Sequence, residues 1–336
     1  MTKASLRLVF CGTPSFAVPT LRHLLVQPDF EIVAVITQPD RPRGRGHQVS
    51  FSAVKDVALS AKIPVFQPGK IRTPESEHFL RTANADASVI IAYGQIIPAR
   101  LLDIPRLGWI NLHASLLPKY RGAAPIQWAI ANGETVTGVT SMRIDAGMDT
   151  GDIILQHETP VAGDETTPRL AERLARLGAP LIADTLRGLR DQTLKPDPQD
   201  HRAATLAPLL KKEDGLIHWQ QPAQAIYNRM RGFTPWPGAY SHFRGTRCHL
   251  LGEPALGSTD PAPADKTAGP DPASSAPQPA VFPGQILHDG KQFLVGCGQQ
   301  SFFRVSHVKQ EGRKQVSALE FANGARLQSG EHFGDS

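Results

Sequence analysis

The order of elements near the start of the chain narrows the possible folds more than any other feature. Residues 6–10 are an apolar run broken by Gly12, Thr13 and Pro14; residues 16–25 carry apolar side chains at helical spacing; residues 32–36 are apolar again. A strand, a tight turn, a helix and a strand in that order open a doubly wound α/β sheet, because a right-handed crossover returns the chain beside its first strand. The turn sequence Gly12-Thr13-Pro14-Ser15-Phe16 lacks the spaced glycines that let a pyrophosphate approach the backbone, which argues against a nicotinamide enzyme. The pattern predicts further helices over 54–61, 75–82 and 168–189, strands over 65–66, 87–92 and 109–113, and a helix running from the segment 122–127 through Ala131. In the longest helix Leu170, Leu174, Leu177, Leu181 and Leu186 form one stripe, as core packing requires.

At 336 residues the chain has material for two domains. The first, Rossmann-like and α/β, is expected over 1–193, a linker rich in proline and polar residues over 194–210, and a second domain over 211–336. That second part alternates in short strands with glycine turns, at 239–243, 247–251, 284–287, 292–295 and 302–308, which is the pattern of a small barrel. Residues 252–280 are dominated by Pro, Ala, Ser, Asp and Thr, have almost nothing to bury, and are expected to be a disordered insert.

The chemistry-bearing residues gather around the strand at 109–113. Successive strand residues face opposite sides, so Asn111 and His113 share one face while Ile110 and Leu112 take the other. Pro118 ends the strand nearby, at the kind of position where open α/β sheets build their sites. An amide donor beside an imidazole suits acyl transfer, since both can hydrogen-bond an oxygen that gains negative charge and the imidazole can also exchange a proton. Asn at a strand end is equally a common turn residue, so the pair needs a third partner. The segment Asp145-Ala146-Gly147-Met148-Asp149-Thr150-Gly151-Asp152 offers one: three acids and two glycines between strands describe a tight loop able to hold a carboxylate toward His113. Such a carboxylate would fix the tautomer of the ring and favour its charged form. Asp145 and Asp152 read as ordinary turn acids, and Asp149, in mid-loop, as the functional one.

Asn111-Leu112-His113, Ser115-Leu116-Leu117-Pro118, Arg121-Gly122-Ala123-Ala124-Pro125-Ile126-Gln127 and Gly147-Met148-Asp149-Thr150-Gly151 together resemble the signature of the folate-dependent formyltransferases. The segment from Arg121 to Gln127 is most similar to the branch of that family acting on methionyl-tRNA. The resemblance implies a Rossmann-like formyltransferase domain followed by an OB-like β-barrel domain that binds tRNA. It also implies transfer of a formyl group from 10-formyltetrahydrofolate, a co-substrate, to the α-amino group of initiator methionyl-tRNA in translation initiation. Carried onto this chain, the catalytic trio is Asn111, His113 and Asp149, and the folate-binding residues are Ser115, Leu116, Leu117 and Pro118 with Gln95, Ile96 and Ile97. The family's tRNA-binding loop falls on residues 39–50, with Arg41, Arg43 and Arg45 and with Arg45 in the position of the key arginine. Read as a sequence, this stretch is a mobile arm, because glycines do not hold it rigid and three guanidinium groups repel one another. Where relatives commonly carry lysines after Gly-Arg-Gly, this chain has His47 and Gln48.

Charge and cysteine usage agree with these expectations without requiring them. A net charge of +5 and a pI near 9.2 favour a polyanionic partner, and Lys and Arg are in excess in the second domain outside the insert. Cys11, Cys248 and Cys297 are far apart, which indicates neither a zinc knuckle nor a disulfide framework, and no other metal-ligand cluster is visible. No apolar run reaches the roughly 20 residues of a membrane span or the length of a signal segment, so a cytoplasmic protein without a membrane partner is expected. A monomer is expected as well, although no motif fixes the oligomeric state. Two rivals remain. A formyltransferase acting on a small amine, such as glycinamide ribonucleotide or an amino sugar, needs neither the arginine-rich loop nor the second domain. A non-enzymatic RNA-binding protein leaves the coexistence of Asn111, His113 and Asp149 without a reason.

Overall fold

A computed structural model describes residues 5–43, 48–255 and 282–334. The chain forms two compact units, residues 1–129 with 134–209, and residues 130–133 with 210–336. In the first unit the strands are β1 (Leu6–Gly12), β2 (Phe30–Ile36), β5 (Val65–Phe66), β6 (Ala87–Ile91), β7 (Trp109–His113), β8 (Val136–Arg143) and β9 (Ile153–Pro160). They make one sheet in the order β5-β2-β1-β6-β7-β8-β9. The pairs from β5 through β7 are parallel, whereas β7 with β8 and β8 with β9 are antiparallel. Helices α1 (Val18–Leu25), α2 (Ala53–Ser60), α3 (Pro74–Ala83), α4 (Ala99–Leu102), α5 (Pro125–Ala131) and α6 (Thr167–Arg190) accompany them. Strand β6 is buried along its whole length, as a parallel strand covered on both faces must be.

The 24-residue α6 buries Leu170, Leu174, Leu181 and Leu186. It lies close against β7 because its Gly178 has no side chain: a Cβ there would stand 2.2 Å from Leu112 Cδ2. A buried hydroxyl pair, Ser141 on β8 with Thr185 on α6 at 2.7 Å, closes the same layer.

Residues 39–50, expected as a mobile loop, instead contain two short antiparallel strands, β3 (Arg41–Arg43) and β4 (Gln48–Ser50), with Arg41 opposite Ser50 and Arg43 opposite Gln48. A two-stranded ribbon has open edges, so Pro42 can sit in it without removing a ladder bond from a neighbour. Arg45, His47 and the rest of 44–47 lie outside the described residues.

The second unit holds helix α7 (Ala223–Gly232), strands β10 (Tyr240–Phe243), β11 (Thr246–Pro254), β12 (Ile286–His288), β13 (Phe293–Gly296), β14 (Phe302–Gln310) and β15 (Val316–Ser317), and helix α8 (Ala318–Ala325). Its sheet is antiparallel, in the order β10-β11-β14-β13-β12 with β15 also on β14, and is the OB-like half-barrel that the short strands predict. Trp219, Phe243, Phe293, Phe303, Phe321 and Phe333 fill one core. The sequence reading missed α8, although Ser317 and Glu320 form a capping box at its start. It also placed the start of the insert too early. Gly252, Glu253 and Pro254 pair with Val305, Arg304 and Phe303, because β14 offers a ladder edge to them; residues 256–281 lie outside the described residues. Among the described residues no helix is long and apolar enough to cross a membrane.

Candidate active site

Strand β7 delivers Asn111 and His113 to the carboxyl end of the sheet, with Asn111 beside Ile90 of β6 and His113 opposite Thr140 of β8. The Asn111 amide is half-buried and has no hydrogen-bond partner among the described residues. The His113 ring is buried, with Nε2 2.9 Å from the Tyr120 carbonyl oxygen. A carbonyl only accepts, so Nε2 carries a proton there. Nδ1 then faces Asp149 Oδ2 at 3.7 Å.

Asp149 lies on the loop between β8 and β9 with φ 53°, a left-handed conformation that Asp tolerates better than most residues. Its Oδ2 accepts the Gly122 N–H at 2.8 Å. Gly122 has φ 119°, and a Cβ at that position would stand 2.7 Å from the Ala207 carbonyl oxygen, so a side chain there would push the donor away. Asp145 is spent inside the loop, accepting from Gly147 N at 3.0 Å and from Thr150 Oγ1 at 2.8 Å. Of the loop's acids, Asp149 is the one that meets the imidazole.

Residues 194–209, which composition presents as a linker, belong to the first unit and hold this loop in place. Asp197 pairs with Ile153, Thr205 and Ala207 bond the backbone of Arg121, and Gln199 is buried between Arg121 and the loop. No motif marked Gln199. Its sign in the sequence is only a polar residue in a proline-rich stretch.

A cleft of about 890 Å³ opens over the carboxyl ends of β1, β2 and β6, lined by Thr13, Gln38, Asp40, Lys70, Arg72, Tyr93 and Ile96 among others. Asn111, His113 and Asp149 stand one strand further on and do not line it. Its walls are tied together, since the Tyr93 carbonyl accepts from Thr13 Oγ1 at 3.1 Å and from Gln38 Nε2 at 3.2 Å. At the root of the ribbon, Lys55 pairs with Asp40, and Gln67 bridges Lys55, Asp40 and the Gln38 carbonyl. The Lys55 ammonium holds the Asp40 carboxyl below the usual carboxylate range.

The predicted folate-binding residues divide in two. Ile96 is 90% exposed, whereas Ile97 is buried and the Gln95 side chain is turned to the backbone, accepting from Ile71 N at 2.6 Å. The Ser115 hydroxyl donates to the Lys119 carbonyl, Leu117 N–H donates to Thr140 Oγ1, and Gln156 donates to the Leu117 carbonyl. The carbonyls from Ser115 to Pro118 all accept bonds within the protein, and Ser115 and Leu117 are buried, so this segment leaves only the side chains of Leu116 and Pro118 partly exposed.

In the second unit several expected surface cations are committed to the protein: Arg244 forms a bidentate pair with Glu331, Arg229 donates to the Asp214 carbonyl, and Arg231 is buried against Asn228. Burial pushes the thiols up, Cys248 to about 11 and Cys297 to about 12, with Cys11 higher still, so none is a nucleophile at neutral pH. Among the described residues no group of three His, Cys, Asp or Glu could hold a metal ion.

Compared with known proteins, residues 6–186 match the family model described as formyl transferase, and residues 209–326 that of the formyl transferase C-terminal domain. The chain belongs to the formyl transferase family. A methionyl-tRNA formyltransferase of Solibacter usitatus is 50% identical over 330 residues, covering 98% of this chain and 99% of that one. One of Koribacter versatilis is 48% identical over 328 residues, covering 97% and 98%. Among solved structures, an N-formyltransferase from Helicobacter canadensis, in complex with folinic acid and dTDP-3-aminofucose, has a TM-score of 0.61 at 18% identity, covering 89% of this chain and 98% of that one. At that identity the likeness concerns the fold. Both the Rossmann-like unit and the OB-like unit of this formyl transferase thus have counterparts in the family.

Proposed function

We propose that this formyl transferase carries a formyl group from 10-formyltetrahydrofolate to the α-amino group of initiator methionyl-tRNA, in the cytoplasm and as a monomer. The observation that carries the substrate assignment is the near-full-length likeness to methionyl-tRNA formyltransferases, which spans both units. The small-amine alternative rests on fold likeness alone.

The folate supplies the formyl carbon: the bond from that carbon to the amine nitrogen forms, its bond to the folate nitrogen breaks, and the proton that the amine gives up ends on the departing folate nitrogen. The unpartnered Asn111 amide is the group best placed to donate to an oxygen gaining negative charge, and this free donor is what makes the site fit a formyl carbonyl. His113 is held by the Tyr120 carbonyl on one side and turned toward Asp149 on the other, so its Nδ1 edge is where a proton can be passed or a second hydrogen bond offered. Asp149, fixed by the Gly122 N–H, steadies positive charge on that ring or takes up the proton of the amine. The exposed Ile96, with the partly exposed Leu116 and Pro118, offers apolar surface to the pteridine. The cleft over β1, β2 and β6, with Lys70 and Arg72 in its lining, takes the acceptor end of the tRNA, and Ile96, which also lines it, stands between the two substrates; the resemblance adds Arg41, Arg43 and Arg45 as tRNA contacts.

The test is to supply 10-formyltetrahydrofolate with charged initiator tRNA, glycinamide ribonucleotide or an amino sugar nucleotide, and to follow tetrahydrofolate release. Turnover with the tRNA alone, falling steeply between about 50 and 200 mM salt, is the expected result. Turnover with only a small amine would overturn the substrate assignment.

A further inference from the structure

Gln199 is a buried side chain that no reaction step uses. It is 6% exposed, as is its neighbour Arg121. Its Oε1 accepts from Arg121 Nε at 3.1 Å and from Arg121 Nη2 at 2.7 Å. Its Nε2 donates to two carbonyls of the acid loop, Asp149 at 3.0 Å and Gly151 at 2.7 Å. Arg121 Nη2 also donates to His201 Nδ1 at 3.1 Å, so the guanidinium is fixed from a second side.

The consequence is geometric. Arg121 immediately precedes Gly122, whose N–H holds the Asp149 carboxylate, and Gln199 holds the carbonyl of Asp149 itself. One amide thus connects both ends of the contact that aims Asp149 at His113. The Arg121 end is held through its backbone as well, by Thr205 and Ala207, whereas at the Asp149 end, a residue in the left-handed conformation, it is the Gln199 amide that bonds the backbone carbonyl. Misplacing a catalytic group by about 1 Å can cost about a hundredfold in rate.

We infer that Gln199 is a positioning residue for the proposed catalytic carboxylate, acting through Asp149 without touching substrate. This rests on the assignment of Asp149 made above. It gives the segment 194–209 a part in the chemistry rather than in connection alone.

The decisive variant is Gln199→Glu in the full chain. It keeps the volume and leaves Arg121 an acceptor, but removes the donor from the carbonyls of Asp149 and Gly151 and sets negative charge against them. The expected result is a fall in kcat of about tenfold to a hundredfold, with KM for 10-formyltetrahydrofolate and for methionyl-tRNA each within about threefold of the unaltered protein. In an Asp149→Ala background the same substitution should change kcat by less than about twofold, because residues acting as a unit are not additive. Gln199→Met, which removes both hydrogen-bonding roles at similar size, should behave likewise and serves if Gln199→Glu does not fold. The proposal is overturned by a Gln199→Glu enzyme with unaltered kcat, by an equal loss in the Asp149→Ala background, or by both variants failing to fold, which would make the role one of packing. An unaltered chain unable to formylate methionyl-tRNA would sink the assigned function first, and this proposal with it.

Discussion

Between β8 and β9 the loop 145–152 is fastened by Asp145 within it, by the Gln199 amide on the Asp149 carbonyl and by the Gly122 N–H, which bonds the Asp149 carboxylate itself. The loop after β6 is fastened as well, through the Tyr93 carbonyl and the Gln95 side chain, yet it leaves Ile96 unpacked and 90% exposed. The first arrangement fixes the direction of a charge. The second fixes a backbone so that apolar surface stays uncovered. A reaction needs both, because orientation lowers the barrier only for a substrate that has been held, and an uncovered apolar side chain is stabilised when a ligand buries it.

That division of labour makes the two loops separable by kinetics. Substitution at the strand end that the fastened loop serves should have the largest effect: Asn111→Ala or His113→Ala loses about a hundredfold or more in kcat, the usual cost of one donor to a developing oxyanion. Steady-state turnover measures it, and near-normal kcat in either variant would break the comparison. At the open loop, Ile96→Ala should raise KM for the folate about tenfold with little change in kcat, since the three carbons removed are worth about 0.8 kcal/mol each when fully buried and a ligand on one side covers about half of that surface. A fall in kcat instead would mean that Ile96 belongs with the chemistry.

A smaller effect is expected at the root of the ribbon. Lys55→Met leaves Asp40 without its cation, and KM for methionyl-tRNA should rise by a factor of about 5, the equivalent of about 1 kcal/mol, while folate KM is unchanged. Parallel titrations of the two substrates distinguish a displaced ribbon from a disturbed cleft.

The smallest effect should come from a pair remote from both loops. Arg187 donates to both oxygens of Asp29 at 2.9 Å and, with Arg190, holds that carboxyl below its usual range. A depressed folded pKa adds stability that is complete above the ordinary carboxylate pKa and is lost as pH falls through the lower folded value. Asp29→Asn should therefore cost about 1 kcal/mol at neutral pH, and the difference from the unaltered protein should shrink on acidification, with both kinetic constants unmoved. Thermal unfolding across a pH series reads this out.

Much of the site could be read from the chain because its residues obey local rules. Asn111 and His113 share a face by strand alternation, and Asp149 stands in a loop whose glycines and acids announce a turn. The ribbon at 41–50 could not be read so, since charge repulsion and glycine content say nothing of a ladder partner supplied seven residues on. Nor could α8 be placed by apolar spacing over so short a helix, although its capping residues were there to find.

By itself, then, the sequence determined the periodicities, and through them the parallel sheet, the half-barrel strands and the three side chains proposed for the chemistry. Tertiary structure alone decided that Oδ2 of Asp149 faces Nδ1 of His113, that the second ring nitrogen is taken by the Tyr120 carbonyl, and that a glutamine 50 residues beyond Asp149 bonds its backbone. The physical reason is range. Alternation, helical spacing and turn chemistry act over a few neighbours, whereas the direction of a buried donor is set by whichever distant carbonyl the folded chain brings within 3 Å of it.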